Sequence, residues 1–393
     1  MTALRSLPLH LINATNGSLM FDLYLNPYFW ALCLGFIVQL LVYLLLFTRL
    51  AAYRQPETDS IAWRPVSVII AARDEARNLK KFLPSILEQD YPEFEVIVID
   101  DQSEDGTGEL LEEFQARYPR LKVVTITEHV NEFAGKKLAL TLGIKAAQNE
   151  ILLLTDADSV PVSNQWIRRM AEGYKDANTE IVLGFSPYKV KPSLINLFIQ
   201  FDTFYTALQY FSFTLAGMPY MGVGRNLSYK RTLFFKSKGF APFLKVSSGD
   251  DDLFVNHNAT LNNVAIQLHE ESFVLSKPKK SWIDWIGQKK RHLRTGKYYK
   301  GQHKSWLGMI WILNVGFYAA VILGIIFINP FWIALAVYGL RVIIQTLIMY
   351  LALKKLKMAR IWLATPLLDL IYQLIYMPVM GFLGMFTKKR KSW

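Results

Sequence analysis

Residues 151–159 read ILLLTDADS: four apolar side chains and a threonine run straight into two aspartates one residue apart. A short apolar run bounded by turn formers has the pattern of a strand buried on both faces. The pattern recurs upstream. VSVIIAA (66–72) is followed by helical periodicity to about residue 88, FEVIVID (94–100) by a helix over about 105–117, and LKVVTI (121–126) by one over about 135–148. Strands rich in Val and Ile, alternating with such segments, predict an α/β domain on a mostly parallel sheet covered on both faces. Sheets of this kind bind ligands at the carboxyl ends of their strands. Here those ends are acidic: Asp100 and Asp101 on the second strand, Asp156 and Asp158 on the fourth. The first strand runs into AARDEARN with no glycine fingerprint, which argues against a dinucleotide cofactor.

In an extended segment Asp156 and Asp158 share a side, and two unit charges about 4 Å apart repel by about 4 kcal/mol at an effective dielectric of 20. A divalent cation removes that cost. Oxygen donors without His or Cys nearby select a hard ion, Mg or Mn, which keeps waters and completes its shell from phosphate. Two aspartates capping a turn account for the same residues without a metal.

The chain has 393 residues, 52% of them hydrophobic, with a mean hydropathy of +0.19, which is too apolar for a purely soluble enzyme. Apolar runs at 28–48, 306–328, 331–353 and 361–386 each approach the roughly 20 residues that cross a bilayer core. Three parts follow: an N-terminal segment and anchor (1–53), a catalytic domain (54–304) and a C-terminal membrane region (305–393). The segment 277–304 carries ten Lys or Arg against the single acid Asp284, which puts the large domain on the cytoplasmic side of an inner or plasma membrane. The same segment supplies much of the formal +12 and reads as a basic collar for anionic lipid or a phosphorylated ligand; no nucleic-acid partner is expected. The lone Cys33 excludes a disulfide framework and a thiolate metal site. The first span is read as an uncleaved anchor, and the sequons at Asn13 and Asn16 as chance. A fourth crossing would leave KKRKSW outside, against the positive-inside rule. With Pro366, Asp369 and Pro378 interrupting the run, 361–386 is expected as a re-entrant or interfacial hairpin.

VSVIIAARDEARNL, VIVIDDQSEDGT, AGKKLAL, LLLTDADS, SGDDDL and QKKRH occur in this order over about 66–295. Together they closely resemble the membrane-bound family-two glycosyltransferases, which have a GT-A fold, a Rossmann-like and mostly parallel sheet. The resemblance implies an inverting enzyme that uses a nucleotide sugar and a divalent cation, Mg or Mn. It implies that Ala72, Glu75, Asp100 and Asp101 hold the nucleoside, that Lys136 lies near its base or phosphates, and that Asp156 and Asp158 form the Asp-x-Asp element, with Asp158 the direct metal ligand. It puts the catalytic base on Asp251, with Asp250 as second choice and Asp252 beside them. Gln288 and Arg291 would close over the diphosphate. His292 stands where processive members carry Trp, so one sugar per acceptor is expected; a processive polysaccharide synthase is the alternative, and an inactive scaffold with a retained fold a further one.

GMPYMGVGRNL (217–227) reads as an acceptor-side loop, with Gly222, Gly224 and Asn226 its candidate residues. In 193–215, Leu194, Leu197, Phe198, Phe201, Phe204, Tyr205, Leu208 and Phe211 recur at helical spacing while Gln200, Asp202 and Gln209 break the run. This segment is expected to lie flat at the membrane surface beside a second one bearing Trp282 and Trp285, which brings the site to headgroup depth and makes the acceptor a lipid or lipid-linked molecule. A helix buried in the domain core is the other reading of the same residues.

Overall fold

The computed structural model describes residues 22–56, 63–128, 135–246 and 248–385. The sequons at Asn13 and Asn16 and the KKRKSW tail lie outside them. Strands β1 (Val66–Ala72), β2 (Phe94–Asp101), β3 (Leu121–Ile126) and β4 (Ile151–Asp156) are parallel and are joined by helices Ala76–Leu87, Thr107–Arg117 and Lys136–Ala146. With β5 (Ser159–Pro161), β6 (Ile181–Leu183), β7 (Leu227–Lys230), β8 (Val264–Ile266) and β9 (Val274–Ser276) assigned along the chain, the main sheet has the order β3-β2-β1-β4-β7-β6-β8, and β7 is antiparallel to both neighbours. β5 pairs with β9 in a separate two-stranded sheet.

Strand alternation explains the two-sided burial. Val66, Val68 and Ile70 pack with helices Ala76–Leu87 and Trp166–Glu172 on one face. Ile69 and Ala71 join Ile97, Ile99 and helix Lys136–Ala146 on the other. Gly143 lets that helix approach closely, since a Cβ there would stand 2.4 Å from Ile99 Cδ1.

Among the described residues, four helices are long and apolar enough to cross a membrane: Pro27–Ala52, Gly301–Phe327, Trp332–Lys355 and Ala359–Leu383. The last corrects the expected hairpin, because 361–386 contains no reversal as far as it is described and runs as one helical stretch. Asp369, counted in the sequence as an interruption, is buried against Arg341 (3.4 Å) and accepts from the Tyr318 hydroxyl (3.0 Å), so its charge is compensated within the protein.

Helix Leu194–Leu215 corrects a second expectation. It does not lie flat with one face outward: Phe201, Phe204, Tyr205, Leu208 and Phe211 are buried in one core with Tyr43, Phe47, Leu50, Met349 and Leu353 of the membrane helices. The helix is wedged between the sheet and the ends of those helices. Helix Trp282–Gly296 does present apolar side chains outward, with Ile283 84% and Trp282 45% exposed, whereas Trp285 is buried in a stack with Tyr376.

Candidate active site

The site lies at the carboxyl ends of β1, β2 and β4. β1 ends at buried Ala72 and β2 at buried Asp100 and Asp101. The two loops that follow are tied together: Glu104 N–H donates to Asp74 Oδ1 (2.9 Å), Glu75 N–H to Thr107 Oγ1 (3.0 Å) and Ala76 N–H to Asp105 Oδ2 (3.1 Å). This fixes a preorganised floor. Burial, and beyond it Asp158 and Asp156, push the Glu75 carboxyl up from its ordinary range, so it belongs to the same acidic cluster.

Lys136 opens its helix and reaches across the floor, 2.7 Å from Asp156 Oδ1 and 3.3 Å from Asp250 Oδ2. Burial opposes its charge, but Asp156, Asp250 and Asp251 hold its pKa well above the usual lysine value. The neighbouring Lys137 points the other way and donates to the carbonyls of Phe243 (2.8 Å) and Val246 (2.6 Å), anchoring the loop that leads to the three aspartates; burial lowers its pKa to about 8.

Asp158 follows β4 in the turn into β5, and Ser159 Oγ donates to its Oδ1 at 3.2 Å. Burial and Asp156 raise its pKa, and among the described residues no lysine or arginine forms an ion pair with it. This is an under-compensated carboxylate beside another. Among the described residues no point is ringed by three or more Asp, Glu, His or Cys side chains. A hard cation on Asp158 and Asp156 would therefore draw the rest of its shell from diphosphate oxygens and water, as Mg and Mn do. The donor set fits.

The segment SGDDDL separates three roles that the sequence left together. Asp250 is buried and faces Lys136; burial raises its pKa, Lys136 opposes that, and Asp251 adds to it. Asp252 is buried in the other direction, accepting from Tyr299 Oη at 2.8 Å and from Thr295 Oγ1; burial and Asp251 push it up to about 7. Asp251 alone of the three is partly open. Its Oδ2 accepts from Gly224 N–H at 2.8 Å and its Oδ1 from Asp252 N–H at 2.7 Å. Gly224 is needed for this approach: a Cβ there would stand 3.2 Å from Asp251 Cβ.

Asp251 lines a cavity of about 430 Å³ together with Gly222, Arg225, His292, one side of helix Leu194–Leu215, and Leu307, Ile310, Trp311 and Met377 of the apolar helices. His292 is open to this cavity yet deep in the protein; burial, Lys289, Arg225 and Arg291 push its pKa down to about 3, so the imidazole is neutral. Gln288 donates to Tyr188 Oη at 3.3 Å, and Arg291 is exposed beside it. Lys289, assigned from sequence to the lipid-facing collar, instead lines the cavity, bonded to the buried Asp202.

Asn226 requires a further correction. It is fully buried and accepts from Trp166 Nε1 (2.9 Å) while donating to the carbonyls of Phe185 (2.9 Å) and Ser272 (2.8 Å), so it ties the segments after β6 and before β9 to helix Trp166–Glu172 and cannot face an acceptor in this arrangement. Asn226→Ala leaves Trp166 Nε1 and Ser272 O unpartnered, while Phe185 O keeps the Val274 N–H at 3.3 Å, and should lower stability by about 3 kcal/mol, measured as a fall in the thermal midpoint. An unchanged midpoint would contradict that role. Its neighbour Arg225 was missed. The guanidinium lies 4.4 Å from the Tyr188 ring centre and donates to Ser186 O at 3.3 Å; burial opposes its charge, while Tyr188, Asp156 and Asp158 raise its pKa. It is a cation poised between the acidic floor and the cavity.

Residues 67–239 match the model of "Glycosyl transferase family 2". Among curated proteins, the chain is 38% identical over 95 residues to the poly-beta-1,6-N-acetyl-D-glucosamine synthase of Staphylococcus epidermidis, covering 24% of this chain and 22% of that protein. It is 31% identical over 120 residues to the beta-monoglucosyldiacylglycerol synthase of Trichormus variabilis, covering 30% of this chain and 25% of that one. The chain thus spans about a quarter of the length of these relatives. Among solved structures, the mannosyltransferase PcManGT from Pyrobaculum calidifontis, in complex with GDP-Man and Mn²⁺, superposes with a TM-score of 0.56 at 21% identity over 89% of this chain and 98% of that one, which is a likeness of fold. The sheet, the acidic strand ends and the matched segment together make residues 67–239 a glycosyl transferase family 2 domain on a GT-A fold.

Proposed function

We propose that the chain is an inverting glycosyltransferase, with residues 54–304 as its cytoplasm-facing catalytic unit, that moves a sugar from a nucleoside-diphosphate sugar to a lipid or lipid-linked acceptor. The observation that carries this is the cavity lined both by Asp251 and by side chains of helices apolar enough to span a bilayer. An acyl or prenyl chain fits such a lining, and a soluble sugar gains nothing from it. The Trichormus relative is named for a glycolipid product, in keeping with this reading.

The nucleoside rests on Ala72, Glu75, Asp100 and Asp101, and Lys136 and Arg225 meet the diphosphate. A divalent cation on Asp158 and Asp156 would stabilise the departing diphosphate charge. Asp251 takes the proton of the acceptor hydroxyl as its oxygen bonds to the anomeric carbon, and the bond to the diphosphate breaks with its electron pair leaving on phosphate oxygen. With no covalent intermediate, one displacement inverts the anomeric centre. Gln288 and Arg291, carried by a helix on the rim, close over the diphosphate.

Neutral His292 lacks the broad stacking face of Trp, so each acceptor should gain one sugar; mass spectrometry giving a ladder of additions from this protein alone would favour the polysaccharide-synthase reading suggested by the Staphylococcus relative. An inactive scaffold is separated by nucleotide release. With a panel of sugar nucleotides and Mn²⁺, the purified chain should liberate a nucleoside diphosphate from at least one, and release from none would sink the proposal.

A further inference from the structure

Helix Leu194–Leu215 is apolar and mostly buried, and along one stripe the buried Asp202 and the half-buried Thr203, Thr206 and Gln209 line the cavity. The stripe shares its cavity with Asp251 and with the apolar side chains Leu307, Ile310, Trp311 and Met377. Thr203 Oγ1 returns its proton to Ile199 O at 2.7 Å. Among the described residues, the Thr206 hydroxyl and the Gln209 amide make no side-chain hydrogen bond, and both are half-buried. Polar groups in so apolar a passage are most favourable when an occupant supplies their hydrogen bonds.

The charges lining the cavity say which occupant. The cations are Arg225, Lys289 and Lys304, and the carboxylates are Asp202, Asp251 and Asp252. Lys289 is neutralised by Asp202, Arg225 is held against Tyr188 and Ser186 O at the donor end, and Lys304 is exposed and donates to Lys297 O at 3.3 Å. Among the described residues that line the cavity, the three cations are matched by three carboxylates, with no surplus of positive charge. A phosphate head carries about −1.5 to −2 charges and would meet the Asp251 carboxylate. Its oxygen, already anionic, would also leave that base without a proton to take. A hydroxyl uses the base: its oxygen bonds to the anomeric carbon, its proton passes to Asp251, and the electron pair of the broken bond leaves on the diphosphate.

We infer that the acceptor carries an uncharged, hydroxylated head of glycerol or sugar type, with Thr206 and Gln209 as residues that position it; this rests on the lipid-acceptor reading above. The test presents the full-length purified chain, with Mn²⁺ and labelled sugar nucleotides, with three separate probes: dioleoylglycerol with its monoglucosyl derivative, a polyprenyl monophosphate, and free glucose. Label should enter the neutral lipids at least about ten times faster than the polyprenyl phosphate. The reverse preference overturns the headgroup while leaving a lipid acceptor in place. Label only on free glucose overturns the lipid reading itself, and label on no lipid also counts against the inference. Thr206→Val and Gln209→Leu should each raise KM for the neutral lipid about tenfold with a smaller change in kcat. An unchanged KM in both would remove them from the head site.

Discussion

The Asp251→Asn protein should transfer sugar roughly 10²- to 10⁴-fold more slowly than the parent chain, the usual cost of losing a general base, while binding the donor almost as well. Asp251 is the one aspartate of SGDDDL that is partly open, and it lines the cavity; its neighbours are committed elsewhere, Asp250 to Lys136 and Asp252, which also lines the cavity, to Thr295 and Tyr299. Asparagine keeps the size and one acceptor oxygen, so either the Gly224 or the Asp252 amide can still be satisfied. The amide cannot accept the acceptor proton. Titration with a nucleoside diphosphate separates the outcomes: equal losses in donor affinity and rate would move Asp251 into the donor site.

Asp158→Asn should cost about 10³-fold or more in transfer, corresponding to the several kcal/mol that a cation contributes at a departing diphosphate, and should weaken cation-dependent nucleotide binding in parallel. The fold should not suffer. The Asp158 charge is opposed by burial and by Asp156, so removing it relieves repulsion, and the thermal midpoint should stay constant or rise. EDTA should abolish transfer by the parent chain and Mn²⁺ restore it. Full activity in EDTA would remove the cation from the mechanism.

What the sequence disclosed depended on the range of the forces involved. β1 to β4 were legible because burial on both faces makes near-continuous Val, Ile and Leu runs, and their acidic ends marked the candidate site. β6, β7 and β8 have three or four residues each, too few to show a period, and β7 joins the sheet antiparallel through tertiary packing. Helix Leu194–Leu215 showed its periodicity but not its surroundings: a polar stripe facing a cavity has the same spacing as one facing water. Asp369 looked like a break because its partner Arg341 lies on another helix, and Lys289 looked like a collar residue because Asp202 is distant in sequence. Arg225 left one faint signal, a lone cation in a glycine-rich loop, and only the fold brings it beside Asp156 and Asp158. Asn226, in the same loop, turned out to be held by Trp166.

The most direct test follows label from a sugar nucleotide into lipid. The purified chain, reconstituted with native membrane lipids and Mn²⁺, should move label into the organic-solvent extract, with the signal lost in EDTA and nearly lost with Asp251→Asn. Label confined to water-soluble products, or reaching the extract equally well with Asp251→Asn, would contradict a cation-dependent transfer to a lipid acceptor at this site.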